Sequence, residues 1–199
     1  MWAERLRDGA QIEIRPISPD DREELAAGMR RLSPESRYRR FFTPASELSE
    51  TQLTYLTEVD HHGHEALVAL DPETGHGIGV ARFVRSPADA ETAEVAVAVA
   101  DFWQGRGVAT ALLDRLAERA RAEGVRRFSA DILAENRPML ELIGELGDAH
   151  VIERDQGTVT VVVELPPEGI GAALREALRA AASDLLRVPH LLRPAVPRD

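Results

Sequence analysis

Two glycines and an arginine, Gly105, Arg106 and Gly107, stand between a run of valines and a run of leucines in the stretch DFWQGRGVAT. Glycine lets the backbone turn sharply and approach a ligand closely, and the leucine run predicts a helix that begins at Gly107. Such a turn presents unpaired backbone N–H groups and the positive end of the helix dipole to one point. The spacing therefore predicts an anion site, to which Arg106 adds charge at the rim.

The class of anion can be narrowed from the same stretch. Each helix-terminus interaction is worth only about 0.3 to 1 kcal/mol in exposed settings, so several donors must act together on a multivalent ligand such as a diphosphate. The stretch lacks the G-x-x-x-x-G-K-[ST] pattern of nucleoside triphosphate sites and the G-x-G-x-x-G pattern of dinucleotide sites. ATP and dinucleotides are thus disfavoured, and a purely structural connection remains the alternative.

Glu94 is the second residue that could do chemistry. It precedes six apolar residues, 95–100, which predict a strand buried on both faces of a sheet. Glu94 shares one face of that strand with Ala96 and Ala98, whose small side chains leave room for a ligand. A carboxylate there could act as a general base. The alternative is an exposed glutamate at the end of a strand.

Histidines 61, 62 and 64 have a spacing that could seat a metal ion. Three histidines in one turn-like stretch rarely converge, so a structural role, or one in lining an acceptor site, is favoured for His64. Asp60 and Glu65 beside it could contact a cationic amine.

The secondary-structure elements that position these residues can be predicted from the spacing of apolar residues. This spacing alternates along the chain between periods of 2 and 3.6 residues, which indicates mixed α and β structure. Strands are predicted at 11–17, 65–70, 77–86, 91–103 and 126–133, and on both sides of a turn at 155–157. Helices are predicted at 18–32, after Ser49, at 107–123 and at 135–147, and an amphipathic helix is predicted after two prolines at 166–167.

Composition excludes several classes of function. The 34 acidic and 24 basic residues give a net charge of -10, which argues against nucleic-acid and membrane partners. The chain has no cysteine, so disulfides, thiolate nucleophiles and thiolate metal sites are excluded. The first residues lack an apolar signal core, and no stretch approaches the roughly 18 apolar residues of a membrane span. A cytoplasmic location is expected.

Several motifs carry a family resemblance. The segment QGRGVA matches the [QR]-x-x-G-x-[GA] pattern of the GCN5-related N-acetyltransferases (GNAT), and it stands, as in that family, between an apolar strand and a long helix. The segment AENRPMLELIGELG looks like the family's next helix, and the predicted order of elements is the order of its fold. The stretches LSPESRYRRFF, VDHHGHEALVAL and AEVAVAV are most similar to the acetyltransferase domain of bacterial protein lysine acetyltransferases that modify acyl-CoA synthetases, and to stand-alone actinobacterial relatives.

The resemblance implies an α/β (α+β) fold of the GNAT type. A mostly antiparallel mixed sheet, splayed at the cofactor strand and with helices on both faces, would occupy residues 11–165, with a C-terminal helix and tail at 166–199. It implies an N-acetyltransferase, monomeric or homodimeric, that transfers acetyl from acetyl-CoA to a primary amine, such as a lysine of an acyl-CoA synthetase or of another protein. A small-molecule amine acceptor and a non-catalytic acyl-CoA-binding module remain alternatives, and no metal is implied.

The resemblance also assigns residues. Glu94 corresponds to the family's general base, and the residues implied to bind acetyl-CoA are Val97, Ala98, Val99, Gln104, Gly105, Arg106, Gly107, Val108, Ala109, Thr110 and Asn136. Gln104 heads the motif and could serve only to position the loop. Two positions depart from the superfamily pattern: Ile143 stands where many members carry a general-acid tyrosine, and Asp148 replaces the usual phenylalanine after Leu-Gly. The leaving thiolate would then need no acid, or would take its proton from water.

Overall fold

A computed structural model of the chain describes residues 1–34, 36–37, 47–134, 149–155 and 157–165. The strands are β1 (Trp2–Arg5), β2 (Gln11–Pro16), β3 (His64–Leu70), β4 (Gly77–Arg85), β5 (Thr92–Val99), β6 (Arg127–Leu133), β7 (Ala149–Asp155) and β8 (Thr158–Glu164). The helices α1 (Arg22–Arg31), α2 (Glu50–Thr57) and α3 (Val108–Ala122) lie between them.

The eight strands of the described residues form one sheet in the order β1-β2-β3-β4-β5-β6-β8-β7. All neighbours pair antiparallel except β5 and β6, which are parallel. The ladder between β5 and β6 covers only Thr92–Glu94, and the described residues of the two strands no longer pair beyond Glu94. The mixed, splayed sheet predicted from the sequence is therefore confirmed.

Helices cover both faces of this sheet. The apolar stripe of α3 is buried against one face, where it packs on alternate residues of β3, β4 and β5 such as Leu67, Phe83 and Val97. On the opposite face, α1 and α2 lie over Val68 and Val80 and leave a mostly apolar cavity of about 100 Å³. Glu94, Ala96 and Ala98 belong to this second face. Of these three residues, Ala98 lines the cavity, whereas Ala96 is fully buried.

Gly79 on β4 sets how closely α3 approaches the sheet. A Cβ atom at this position would lie 3.1 Å from Leu112 Cδ1, 3.2 Å from Val108 Cγ1 and 3.2 Å from the carbonyl oxygen of Ala98. Any side chain at position 79 would therefore push the first turns of α3 away from β4 and β5. The glycine allows the start of α3 to sit directly beside the strand that carries Glu94.

Capping boxes form at Ser18 and at Ser49. Ser18 N donates to Asp21 Oδ2 (2.8 Å) ahead of α1. At the start of α2, Ser49 and Gln52 exchange hydrogen bonds of 2.8 and 3.2 Å. The cap at Ser49 explains why α2 begins where the sequence predicts. The cap at Ser18 instead begins a short 3-10 turn, Pro19–Asp21, and α1 follows from Arg22.

One strand is not predicted from the sequence. β1 pairs with β2 and adds an edge to the sheet ahead of residue 11, although its four residues carry too little apolar pattern to be read as a strand. Asn136, Ile143 and Asp148, the predicted helix at 135–147 and the C-terminal helix at 166–199 lie outside the described residues. In the part of the chain that the structure describes, no helix is long and apolar enough to cross a membrane.

Candidate active site

The glycine-rich turn and the first turn of α3 form a cradle. Gly105 and Gly107 both adopt positive φ values, 73° and 101°, which favour glycine because other residues are strained there. Most of the residues assigned to acetyl-CoA line one small cavity at this place, together with Trp103: Val99, Gln104, Gly105, Gly107, Val108, Ala109 and Thr110. The structure thus brings the predicted anion-binding residues together.

The electrostatics of this cradle suit an anion. The first turn of α3 carries no acidic residue, whereas α1 and α2 begin with glutamates that neutralise their dipoles. The positive end of α3 and the free N–H groups of its first turn are therefore available to a ligand. Thr110 Oγ1 is buried and has no hydrogen-bond partner among the described residues. A phosphate oxygen in the cradle would satisfy this hydroxyl, so the residues present fit a pyrophosphate.

Gln104 and Arg106 have other partners in this structure. Gln104 Nε2 donates to the carbonyl oxygen of Val99 (3.1 Å) and to Asp101 Oδ1 (3.2 Å), which ties the loop to the end of β5. Arg106 pairs with Asp8 and lies over the ring of Trp103, 4.0 Å from its centroid. Gln104 thus holds the loop in shape, and Arg106 stands at the rim of the cradle.

Glu94 lies at the point where the sheet opens. It is the last residue of β5 that pairs with β6, opposite Ser129, and the backbone of β5 from Val95 to Val99 borders the gap. Backbone N–H and C=O groups on that edge can hydrogen-bond a ligand in place of a strand. A chain of atoms that starts at the cradle and follows β5 would therefore end beside the Glu94 carboxylate.

Three side chains near Glu94 form a cluster on the same face of the sheet. Arg82 of β4 is only 2% exposed, donates from Nη1 to His64 Nε2 (3.1 Å) and from Nη2 to the carbonyl oxygen of Leu56 (3.2 Å). The ring of Tyr55 from α2 packs on the ring of His64, with centroids 4.9 Å apart. Burial raises the pKa of Tyr55, and the charges of Arg82 and Glu94 act on this pKa in opposite directions.

His64 is neutral at physiological pH. Burial, and then the charge of Arg82, lower its pKa to about 4. Arginine has no acceptor atom, so the Arg82 contact also requires an unprotonated Nε2 on His64. Sequence reasoning pointed to His64 but missed Tyr55 and Arg82. A buried arginine within an apolar strand was the available signal, because charged residues are seldom fully buried without a partner.

The other candidates of the HHGH segment have structural roles. Asp60 Oδ1 accepts the N–H groups of His62 (2.9 Å) and His64 (2.8 Å), which lower its pKa. Of the imidazoles, His61 contacts Glu65 (2.7 Å) and His62 contacts Glu123 (3.0 Å), while His64 contacts Arg82. Three different partners therefore hold the three rings apart.

The expectation that Glu65 contacts a cationic amine is wrong. Glu65 is 1% exposed and points to the face of α3, opposite His64, because adjacent residues of a strand face opposite ways. Its carboxylate binds Arg119 Nε (3.0 Å) and His61 Nδ1 (2.7 Å). Glu65 therefore anchors α3 to β3 and cannot reach an acceptor beside Glu94.

Removing Arg119 tests this anchoring role. We expect Arg119→Met to lower the free energy of unfolding by about 3 kcal/mol, because it leaves the buried Glu65 carboxylate without its cationic partner. Arg115→Met on the same helix is the matched control: its partner Glu4 is 28% exposed, so the loss should stay below about 1 kcal/mol. Urea denaturation measures both, and equal losses in the two variants would contradict the assignment.

Comparisons with known proteins identify relatives of this chain. The family model described as "Acetyltransferase (GNAT) domain" matches residues 11–147. The chain is 37% identical to the acetyltransferase Pat of Mycolicibacterium smegmatis over 163 residues, 82% of this chain and 48% of that protein. It is 35% identical to the acetyltransferase PA5475 of Pseudomonas aeruginosa over 164 residues, 81% of this chain and 87% of that one.

A solved structure extends the similarity to three dimensions. The GNAT domain of S. lividans PAT superposes with a TM-score of 0.73 at 35% identity, covering 82% of this chain and 96% of that one. The chain spans about half the length of the M. smegmatis relative.

Proposed function

The chain belongs to the GNAT acetyltransferase family, and from this premise we propose that it transfers the acetyl group of acetyl-CoA to a lysine side chain of a partner protein. One observation carries the proposal more than any other. A carboxylate, Glu94, stands at the end of a gap in the sheet, and an anion cradle stands at the other end of the same strand.

Acetyl-CoA fits this arrangement by its own chemistry, since it supplies a diphosphate, an amide-bearing pantetheine arm and a reactive thioester. The cradle at residues 104–110 would take the diphosphate, and the β5 backbone at Val97, Ala98 and Val99 would pair with the arm. These residues follow one another along the chain, from the gap to the loop. The thioester would then lie near Glu94.

Glu94 is proposed to act as the general base. A protonated amine has no lone pair for attack, and only about one lysine amine in 2,500 is neutral at pH 7, because the usual pKa of a lysine side chain is about 10.4. Glu94 would take the proton, directly or through one water, while the nitrogen bonds to the thioester carbon and the carbon–sulfur bond breaks. The leaving thiolate would be released as such or protonated by water.

Two observations support a lysine on a protein as the acceptor. The sequence resembles bacterial protein lysine acetyltransferases in three separate stretches, and the chain carries a net charge of -10. An acidic protein attracts a cationic, lysine-bearing surface over a distance of several ångströms. Fold alone does not select the acceptor, because one architecture serves many acceptors.

A panel of acceptors tests the proposal. Acyl-CoA synthetases and other lysine-bearing proteins are incubated with acetyl-CoA and the enzyme, and intact-mass measurement counts the acetyl groups gained. Small primary amines are compared in parallel by release of CoA, and reactions without enzyme correct for uncatalysed acetylation. We expect acetylated protein and weak turnover of small amines. Efficient turnover of a small amine with no acetylated protein would identify a small-molecule enzyme instead.

A further inference from the structure

Among the described residues, the side chains of β3 and β4 that lie in one row with Glu94 across the sheet are aromatic and apolar. His64 of β3, Val84 of β4 and Glu94 of β5 are directly opposite one another across three strands. Residues directly opposite one another in antiparallel strands share a face of the sheet. Because neighbouring strands lie about 4.8 Å apart, the Cα atoms of His64 and Glu94 are roughly 10 Å apart. Val84 is half-buried and lies between them. The row of His64, Val84 and Glu94 thus forms a short path across the sheet that ends at the proposed base.

Tyr55 forms a side wall for this path. Its ring packs on the ring of His64, with centroids 4.9 Å apart, and Tyr55 remains 37% exposed. The cation of the cluster, Arg82, is only 2% exposed. In the part of the chain that the structure describes, a ligand that approaches Glu94 along the row would therefore meet the rings of Tyr55 and His64 and the side chain of Val84, because the Arg82 guanidinium is buried.

We propose that Tyr55 and His64, with Val84 as the floor, hold the hydrocarbon stem of the acceptor and deliver its nitrogen to Glu94. The inference rests on the proposed function and deepens it: the preferred acceptor is a primary amine at the end of an unbranched apolar stem, as in lysine. A stem of four methylene groups would bind more tightly because its apolar surface is buried against the two rings. Short or branched amines would lose that contact.

Two substitutions at Tyr55 test the contributions of its ring and of its hydroxyl separately. We expect Tyr55→Ala to raise the KM for a lysine-bearing acceptor about ten-fold through loss of apolar contact. Tyr55→Phe keeps the ring and should stay within about three-fold of the wild type. The KM for acetyl-CoA should not change in either variant. Ile152→Ala, at an exposed apolar residue of the edge strand β7, is the control.

Binding is measured alongside turnover so that the two proposals can fail separately. A lysine peptide is titrated into CoA-loaded wild-type, Tyr55→Ala and Tyr55→Phe protein by calorimetry. Weaker peptide binding in Tyr55→Ala alone supports the wall, even if the wild type acetylates no lysine and the proposed function is wrong. An equal loss in Tyr55→Phe, an unchanged Tyr55→Ala, a changed KM for acetyl-CoA, or no peptide binding by the wild type would each overturn the inference.

Discussion

Glu94→Gln is expected to slow acetyl transfer to lysine by about 10² to 10⁴ at pH 7, the usual cost of losing a general base. Glutamine keeps the size and hydrogen-bonding capacity of the side chain but cannot take the proton from the amine. The affinity for acetyl-CoA should remain within about two-fold of the wild type, because the proposed cofactor contacts begin at Val97. Steady-state kinetics and calorimetry measure the two quantities independently.

The pH dependence of the deficit distinguishes a base from a structural residue. As the pH rises toward the pKa of the lysine amine, about 10.4, a growing fraction of the acceptor is already neutral. The ratio of wild-type to variant rate should therefore fall steadily with increasing pH.

Glu91→Gln is the matched control for Glu94→Gln. Glu91 is an exposed glutamate that pairs with Arg126 (3.3 Å) and Arg127 (3.4 Å) just before β5, and it should retain wild-type turnover. If Glu94→Gln also turns over within a few-fold of the wild type at pH 7, Glu94 is only a residue at the end of a strand.

Gly107→Glu is expected to weaken acetyl-CoA binding by more than about 100-fold. A carboxylate at the start of α3 would face the diphosphate, and apposed like charges cost several kcal/mol. The fold should tolerate the side chain, because a Cβ at this position would have only Leu6 Cδ2 nearby, at 4.0 Å. Calorimetric titration with acetyl-CoA measures the loss.

Gly124→Glu controls for backbone strain and for the added charge. Gly124 also has a positive φ, 81°, and a Cβ there would meet no atom within 4 Å, but it lies at the opposite end of α3. Both variants should therefore lose a similar amount of stability, on the order of 1 to 2 kcal/mol. If both bind acetyl-CoA equally well, the diphosphate does not occupy the cradle.

The cradle and its strand could be predicted from the sequence because their signals are local. Positive φ at Gly105 and Gly107, the apolar run of β5 and the stripe of α3 all lie within one short segment. The edge strand β1 could not be predicted, since four weakly patterned residues become a strand only by pairing with β2.

The acceptor side of the site depends on contacts between distant segments. Tyr55 and Arg82 meet His64 only through the register of β3 with β4 and the docking of α2. The same dependence on contacts between distant segments explains why the prediction that Glu65 contacts a cationic amine was wrong. The stretch HEALVAL is apolar on both faces, so its pattern does not tell which of two adjacent residues faces α3 and which faces the acceptor.

A crystal structure with bound acetyl-CoA tests the central claim most directly, because the gap between β5 and β6 is the proposed place of reaction. We predict the diphosphate on the backbone of residues 104–110 and the pantetheine arm along Val97–Val99. The thioester carbon should lie beside Glu94, with the carboxylate within hydrogen-bond reach of an attacking nitrogen, about 2.6 to 3.2 Å, or one water away. A thioester bound outside the gap, or a Glu94 carboxylate turned away from it with no connecting water, would contradict the proposed mechanism.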